Sequence, residues 1–569
     1  MDWASLVILD HLASTAPKII LTCRCIYCML SAEMFRLLTI SALCVCLVSC
    51  QKESQVDQAT REGILIMGNS SDPKSLDPQV VTGVLDSNVM RALFEGLVQF
   101  HPSEDLTAPL GSALELIPDE SYTVWSVKLR PDAKWSNGDQ VTSEDYAFAY
   151  ERILTPDLAA KYAEMLYFVE GAEAFNKGET KDFSTVGIRI IDKENFKIKL
   201  RGPTPYFKEV LKHYTWNPVP KRVVLKHGEI GMIGNPWSKV ENHVSNGPFR
   251  LKSFRRNDHI EVEQNPYYWD AKNVTLKGIR FLPVSNPFTE ARMFRDGQIH
   301  VTYSAPKEVV DMMKKKNPEV LRQEPYFGTD ILRFNNKRKP MDDVRVRRAL
   351  SMALDRDALC NNIYSGYKPT YGLTPPTDGY QPPRLVKFDP EEARKLFAEA
   401  GFPGGKGFPR LKMLVSSREA AATIGAATQA MFREHLGVEI EIENKEWTAY
   451  LVAMQSLDFD LCSGGWIGDY IDPLTFLEMW TPGNGNNNTG WESQEFLNQI
   501  NLALQVSDPT ERYALLRKAE EILLNDAPMA PIAWRSKNYL IHPSVKGWDP
   551  VLLDCHPYNS VRLVQPKKD

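Results

Sequence analysis

Between residues 410 and 466, strand-like and helix-like runs alternate, and this alternation constrains the fold more than any other feature of the chain. RLKMLVSS reads as a strand, REAAATIGAATQAMFREHL as a helix stopped by Gly437, and VEIEIE as a second strand. EWTAYLVAMQSL then reads as a helix, and FDLCSGGW as a third strand running into a glycine turn. Strands that alternate with helices imply a parallel-type sheet. In such sheets ligands sit beyond the carboxyl ends of strands, in crevices where the strand order switches. Gly464–Asp469 is therefore the place to look for a site.

The remainder has the same mixed α/β texture. Ile64–Met67 is a short apolar run, and Tyr122–Arg130 alternates with period two. Thr142 precedes SEDYAFAYERIL with Asp145 three residues on, the pattern of a capped helix start. Asp389-Pro390 opens a helix that Gly401 closes. Further helices are expected over 343–364 and over 508–526, the latter opened by Asp508-Pro509. With 569 residues, a domain size of roughly 150 residues predicts two to four lobes. A net charge of −5 argues against a nucleic-acid surface, and a mean hydropathy of −0.32 excludes a polytopic membrane protein.

Local catalytic signatures are missing. There is no GxxxxGK[ST], no GxGxxG after a strand, no GxSxG, no HExxH and no EF-hand loop. Gly483-Asn484-Gly485-Asn486-Asn487-Asn488 lacks the lysine of a phosphate cradle and reads as a surface loop. The ten histidines form no i, i+4 pair, and carboxylate pairs such as Asp458/Asp460 and Glu391/Glu392 read as solvated faces. The chain is thus expected to be a non-enzyme without metal or cofactor.

Cysteine placement sets the amino terminus apart, with six of nine in the first fifty residues. Residues 34–50, MFRLLTISALCVCLVSC, combine a basic Arg36, an apolar run and Leu47-Val48-Ser49-Cys50, which resembles a bacterial lipobox. Cleavage before Cys50 and acylation there would hold the protein at a membrane surface. Met34 reads as the true start, 1–33 as an upstream extension, 34–49 as the signal peptide and 50–62 as a tether. Zinc binding by Cys23, Cys25 and Cys28 is disfavoured because no further cluster completes four ligands.

From PKSLDPQVVTGVLDSNVMRALFEGL (73–97) onward the chain resembles the oligopeptide-binding proteins of bacterial ABC importers, solute-binding protein family 5. The resemblance continues through 125–154, 335–359, YGLTPPTDG (371–379) and GWIGDYIDPLTFL (465–477), and covers 63–569 in order. It implies a periplasmic-binding-protein-like (type II) α/β venus flytrap, two lobes joined by a hinge plus an additional small lobe. Lobe I would comprise 63–100, 211–320 and 531–569, lobe II 101–210, and lobe III 321–530. Ligand would be enclosed when the hinge closes.

A receptor for peptides of varied sequence must recognise the shared backbone and charged termini. Gly464-Gly465-Trp466 on one side and Val81-Thr82-Gly83 on the other would let two backbones approach. The resemblance makes Asp469 the carboxylate for the ligand's α-ammonium, and Trp447 and Trp466 pocket aromatics. Tyr162 and Trp534 are further candidates. The basic groups that enteric relatives offer to peptide carboxyl termini correspond here to Met454 and Ser463, and a histidine to Ala421. Arg338 and Arg535 are the remaining candidates for that role. Ile467 replaces a cysteine, so the relatives' disulfide is not expected.

The function expected is that of an exported, lipid-anchored, monomeric receptor, periplasmic or in the cell envelope, delivering oligopeptides to ABC permease subunits. Alternatives keep the fold but bind dipeptides, cell-wall peptides, a metal chelate or another small solute, or sense peptides without transport. A secreted enzyme is disfavoured by the missing nucleophile and metal motifs.

Overall fold

The computed structural model describes residues 53–101, 110–417 and 419–565. The signal peptide, Cys50 and the zinc reading of residues 23–28 lie outside these residues. Gln55–Asp569 forms one compact unit, described below.

Three principal sheets organise it. The first orders Ile64–Gly68, Gly278–Leu282, His259–Gln264 and Phe249–Arg255, parallel in its first pair and antiparallel beyond. The second is antiparallel, from Ala113–Pro118 through Val124–Leu129 and Asn195–Lys199 to Ile188–Ile190. Helix Ser143–Leu154 packs near it, and Thr142 and Asp145 form the expected reciprocal cap.

The third sheet orders Lys368–Pro369, Met529–Leu540, Leu321–Phe334, Leu461–Ile467, Leu411–Ser416 and Ile440–Lys445. The 410–466 alternation is realised here, with Leu411–Ser416 parallel to both of its neighbours. Period-two alternation decides which helix covers which face. Leu411, Met413 and Val415 pack with Phe432 and Leu436 of helix Glu419–Leu436. Leu414 instead packs with Tyr450 and Ala453 of helix Trp447–Gln455. Helices on opposite faces leave a crevice beyond the carboxyl end of Leu411–Ser416, which is the strand-switch position.

The strands Leu321–Phe334 and Met529–Leu540 form a long antiparallel ribbon whose register shifts twice, between Pro531 and Ala533 and between Trp534 and Ser536. At its far end Ile541 bridges to Val301, which also bridges to Met67 of the first sheet. The ribbon thereby ties the first sheet to the third. Met529–Leu540 runs through residue 531 as one strand.

Two expectations need correction. Gln55–Glu62 is no tether but a helix that buries Val56, Ala59 and Thr60. The Val56 N–H donates to Gly297 O, and the Thr60 hydroxyl lies 3.0 Å from His300 Nε2. A stripe only one turn deep in a polar octet is too short to register as periodicity. The segment 343–364 is two helices, Val344–Met352 and Arg356–Asn362, because Asp355 starts the second by accepting from Ala358 N. Cys360, Cys462 and Cys555 are free thiols.

Candidate functional site

Strand Leu461–Ile467 has one edge only half used. Leu461 and Cys462 pair with Met413 and Leu414, whereas every residue from Leu461 to Ile467 pairs with Leu321–Phe334 on the other side. Ser463–Ile467 therefore present an edge with no strand partner among the described residues, facing the crevice. An unpaired edge is a template for an added extended chain.

The glycines on this strand have a role inside the protein itself. A Cβ on Gly465 would meet Arg535 Nη2, and would lie 2.6 Å from Asp330 Oδ1 and 2.7 Å from Thr329 O. A Cβ on Gly464, on the opposite face, would lie 2.8 Å from the Tyr450 hydroxyl and 2.9 Å from Arg333 Nη1. Both glycines make room for the protein's own side chains. Gly465→Ala is expected to lower stability by about 1–3 kcal/mol, the usual cost of overpacking. Urea denaturation checks this, and an unchanged midpoint would show that the neighbours yield freely.

Asp469 follows the strand's carboxyl end. Its N–H donates to Thr475 Oγ1 at 3.1 Å, while capping of the next turn falls to Asp472, whose Oδ1 accepts from Leu474 N. The Asp469 carboxyl is thus spared that task. Burial, with Glu478 and Glu164 nearby, pushes it up to about 7, against a hydrogen bond from Tyr162 that favours the charged form. Glu478 is likewise pushed up to about 7, by burial, and accepts from the Tyr470 hydroxyl at 2.8 Å. Arg201 eases the charge on Glu478, whereas only acids act on Asp469, so the Asp469 end of the site favours an added cation.

Tyr162 is therefore beside Asp469, whose charge is the main reason its own hydroxyl is held above the usual range. The Tyr162 ring packs on His213 and Tyr214, and the Tyr214 hydroxyl donates to Val81 O at 3.3 Å. The Val81–Gly83 segment thus comes to the same neighbourhood. Gly83, however, is the N-cap of helix Val84–Leu93. Its N–H donates to Asp86 Oδ2 at 2.9 Å and its carbonyl accepts from Ser87 N. The Thr82 N–H also serves Asp86. The N–H groups of Thr82 and Gly83 are thus engaged within the cap.

Trp466 and Trp534 stand either side of Thr329 across the sheet, in register with it on adjacent strands. Both indole Nε1 groups are enclosed without a hydrogen-bond acceptor among the described residues. Trp447 lies at the first turn of its helix, 43% exposed and stacked on Tyr450 at 5.4 Å.

Both arginines expected to meet a ligand carboxylate are paired with carboxylates of the protein. Arg535 Nε donates to Asp330 Oδ1 at 2.6 Å, a half-buried pair under Gly465. Arg338 pairs with Asp458 at 3.3 Å and Asp460 at 3.7 Å, at the amino end of the strand and remote from Asp469. Sequence reasoning missed Glu164, Glu478, Tyr214 and Arg333. Only the 3D pairing of distant segments assembles them, and no local motif marks any of the four. The asparagine-rich loop, read as surface, is tied to this site because Asn486 hydrogen-bonds Glu164.

The family description "Bacterial extracellular solute-binding proteins, family 5 Middle" matches residues 115–488. The chain belongs to this family. The family 5 protein is 34% identical over 499 residues to the periplasmic oligopeptide-binding protein OppA of Salmonella typhimurium, covering 85% of this chain and 89% of that one. Its fold matches the crystal structure of Haemophilus influenzae OppA in complex with RPPGFSPFR, at a TM-score of 0.78 and 30% identity, over 88% of this chain and 99% of that one. The unliganded open form of the murein tripeptide-binding protein MppA matches at 0.71 and 28% identity, over 88% and 97%. The fold is the periplasmic-binding-protein-like venus flytrap of type II.

Proposed function

We propose that this family 5 protein is an extracytoplasmic receptor, not an enzyme, that encloses oligopeptides and passes them to an ABC importer. The observation that carries the reading is the unpaired edge Ser463–Ile467 ending at the Asp469 carboxyl, which has no cation of its own. An extended peptide would pair with the edge and set its α-ammonium against Asp469 and the Tyr162 hydroxyl, a charge-assisted contact that fixes register. Trp447, Trp466 and Trp534 would offer apolar surface to side chains. The names of the relatives support the same cargo. We further assign Cys50 as the lipid attachment, the protein acting as a monomer. Lobe I would comprise the first sheet and the chain's return, lobe II the antiparallel sheet, and lobe III the switch-point sheet.

Mass spectrometry of ligands released by denaturing the purified protein tests the reading. Peptides of several residues are expected; recovering none, with no peptide-induced rise in melting temperature, would overturn it. Intact mass of the membrane form tests the lipid: a mature chain retaining residues before Cys50 would refute it.

Binding should also depend on pH in a defined direction. The free Asp469 carboxyl, held up near 7, must lose its proton to pair with an ammonium, so ligand binding expels a proton below pH 7. Affinity is expected to fall as pH drops, approaching about tenfold per unit for one linked proton. Above about pH 8 it falls again, as the peptide amine deprotonates. Calorimetry in buffers of different ionisation enthalpy measures both. A flat affinity between pH 5 and 7.5 would separate Asp469 from the ligand amine.

A further inference from the structure

Five arginines are buried among the described residues: Arg152, Arg333, Arg347, Arg356 and Arg512. Four have their charge accounted for. Arg152 forks onto Asp77 and Arg512 onto Asp472, while Arg347 and Arg356 are ringed by backbone carbonyls. Arg333 is the exception. It is only 3% exposed, its Nε is enclosed without a partner, and its guanidinium has no carboxylate or carbonyl partner among the described residues. An unpaired buried charge is costly, and a fold keeps one where something else completes it.

Its position says what that something is. Arg333 lies opposite Cys462 on the neighbouring strand, and its Nη1 reaches alongside Gly464, 2.9 Å from where a Cβ would stand. A Cβ there would crowd the guanidinium where it lies against the strand at the start of its unpaired edge. The Tyr450 hydroxyl, which donates to Ser463 O at 2.8 Å, sits on the same side of Gly464. Asp469, at the other end of this edge, gathers negative charge. The edge therefore has an acid-rich end and a cationic end.

We infer that Arg333 receives the carboxyl-terminal carboxylate of the bound peptide, and so sets the length of the preferred ligand. The inference rests on the peptide-receptor reading above. The chain of the ligand runs antiparallel to Leu461–Ile467, its amine at Asp469 and its carboxylate at Gly464. Five positions separate these ends. At about 3.3 Å per residue they span about 16 Å or less, the reach of an extended peptide of about three to five residues. The planar guanidinium fork matches a carboxylate bidentately, and the carboxylate neutralises a charge that the fold otherwise leaves unpaired.

The test compares tri-, tetra- and pentapeptides carrying a free or an amidated carboxyl terminus, titrated by calorimetry into the wild-type protein and Arg333→Met. The wild type is expected to prefer the free acids by roughly 10- to 100-fold, the range for a hydrogen bond to a charged group. Arg333→Met should bind acid and amide forms alike, at the wild-type affinity for the amide. Its melting temperature without peptide should equal or exceed that of the wild type, since an unpaired buried charge is gone. Arg333→Lys, which keeps the charge, should retain part of the preference. An acid preference that survives in Arg333→Met overturns the inference while leaving the receptor reading intact. Peptide binding by the wild type without acid–amide discrimination does the same, and needs no variant to fold. If no peptide of either kind binds the wild type, both fall.

Discussion

Asp469→Ala is expected to weaken peptide binding by about 3–5 kcal/mol, more than a hundredfold, because it strands the ligand's ammonium in an enclosed crevice. Asp469 is the one carboxyl that both follows the open strand edge and is hydrogen-bonded by Tyr162. Glu478 is held by Tyr470, and Glu164 by Asn486, so neither can swing in as a substitute without breaking its own contact. The unliganded protein should respond in the opposite sense. A carboxyl held up at about 7 in the folded protein, above the 3.8 usual for an aspartate, favours folding when protonated. Its ionisation destabilises the empty site progressively as pH rises from about 4 through 7. At pH 8, then, Asp469→Asn without peptide should melt no lower than the wild type, and gain nothing when peptide is added. Calorimetric titration and melting curves on the same preparations separate the two effects. Retention of peptide affinity within threefold would move the ammonium site elsewhere.

What the sequence revealed of this site, and what it concealed, follows from where the information lies. The 410–466 alternation was legible because its signals are local: Gly437 at positive φ stops one helix, and apolar residues spaced by two mark the strands between. The Thr142–Asp145 cap was legible for the same reason. The roles of Gly464 and Gly465 were not, since what faces each glycine is fixed by Arg333, Asp330 and Arg535 on other strands. Arg535 looked available for a ligand carboxylate because its partner Asp330 is far away in the chain. Arg333 looked unremarkable, being one arginine in the run ILRFNN. Only register against Cys462, together with the absence of a carboxylate around it, distinguishes it from its neighbours. The capping role of Gly83 was equally hidden, since its N–H donates to Asp86 and its carbonyl accepts from Ser87 N only once the helix Val84–Leu93 has formed.

Asp77→Ala should be the most destabilising single change away from the crevice. Asp77 lies in the segment PKSLDPQ and Arg152 near the end of helix Ser143–Leu154, so their contact joins two stretches that carry much of the family resemblance. Arg152 is fully buried. Its Nη2 meets Asp77 Oδ2 at 2.7 Å, and its Nη1 meets Asp77 Oδ1 at 3.2 Å and Gln79 Oε1 at 2.6 Å. Trp237 Nε1 donates to Asp77 Oδ2 at 3.2 Å as well. The nearby His243 is pushed down to about 4 by burial, so at neutral pH it adds no charge that could replace or oppose the pair. Removing the carboxylate leaves a guanidinium at the centre of a core with one amide oxygen for company, at a cost of about 3–5 kcal/mol. Arg152→Met in the Asp77→Ala background should recover most of that loss, because two apolar side chains leave nothing buried and charged. Urea unfolding followed by tryptophan fluorescence measures the cycle, and high salt should not rescue the single variant, since a buried charge is poorly screened. A single-variant loss below about 1 kcal/mol would mean that water reaches Arg152, and that the two segments are joined by apolar packing alone.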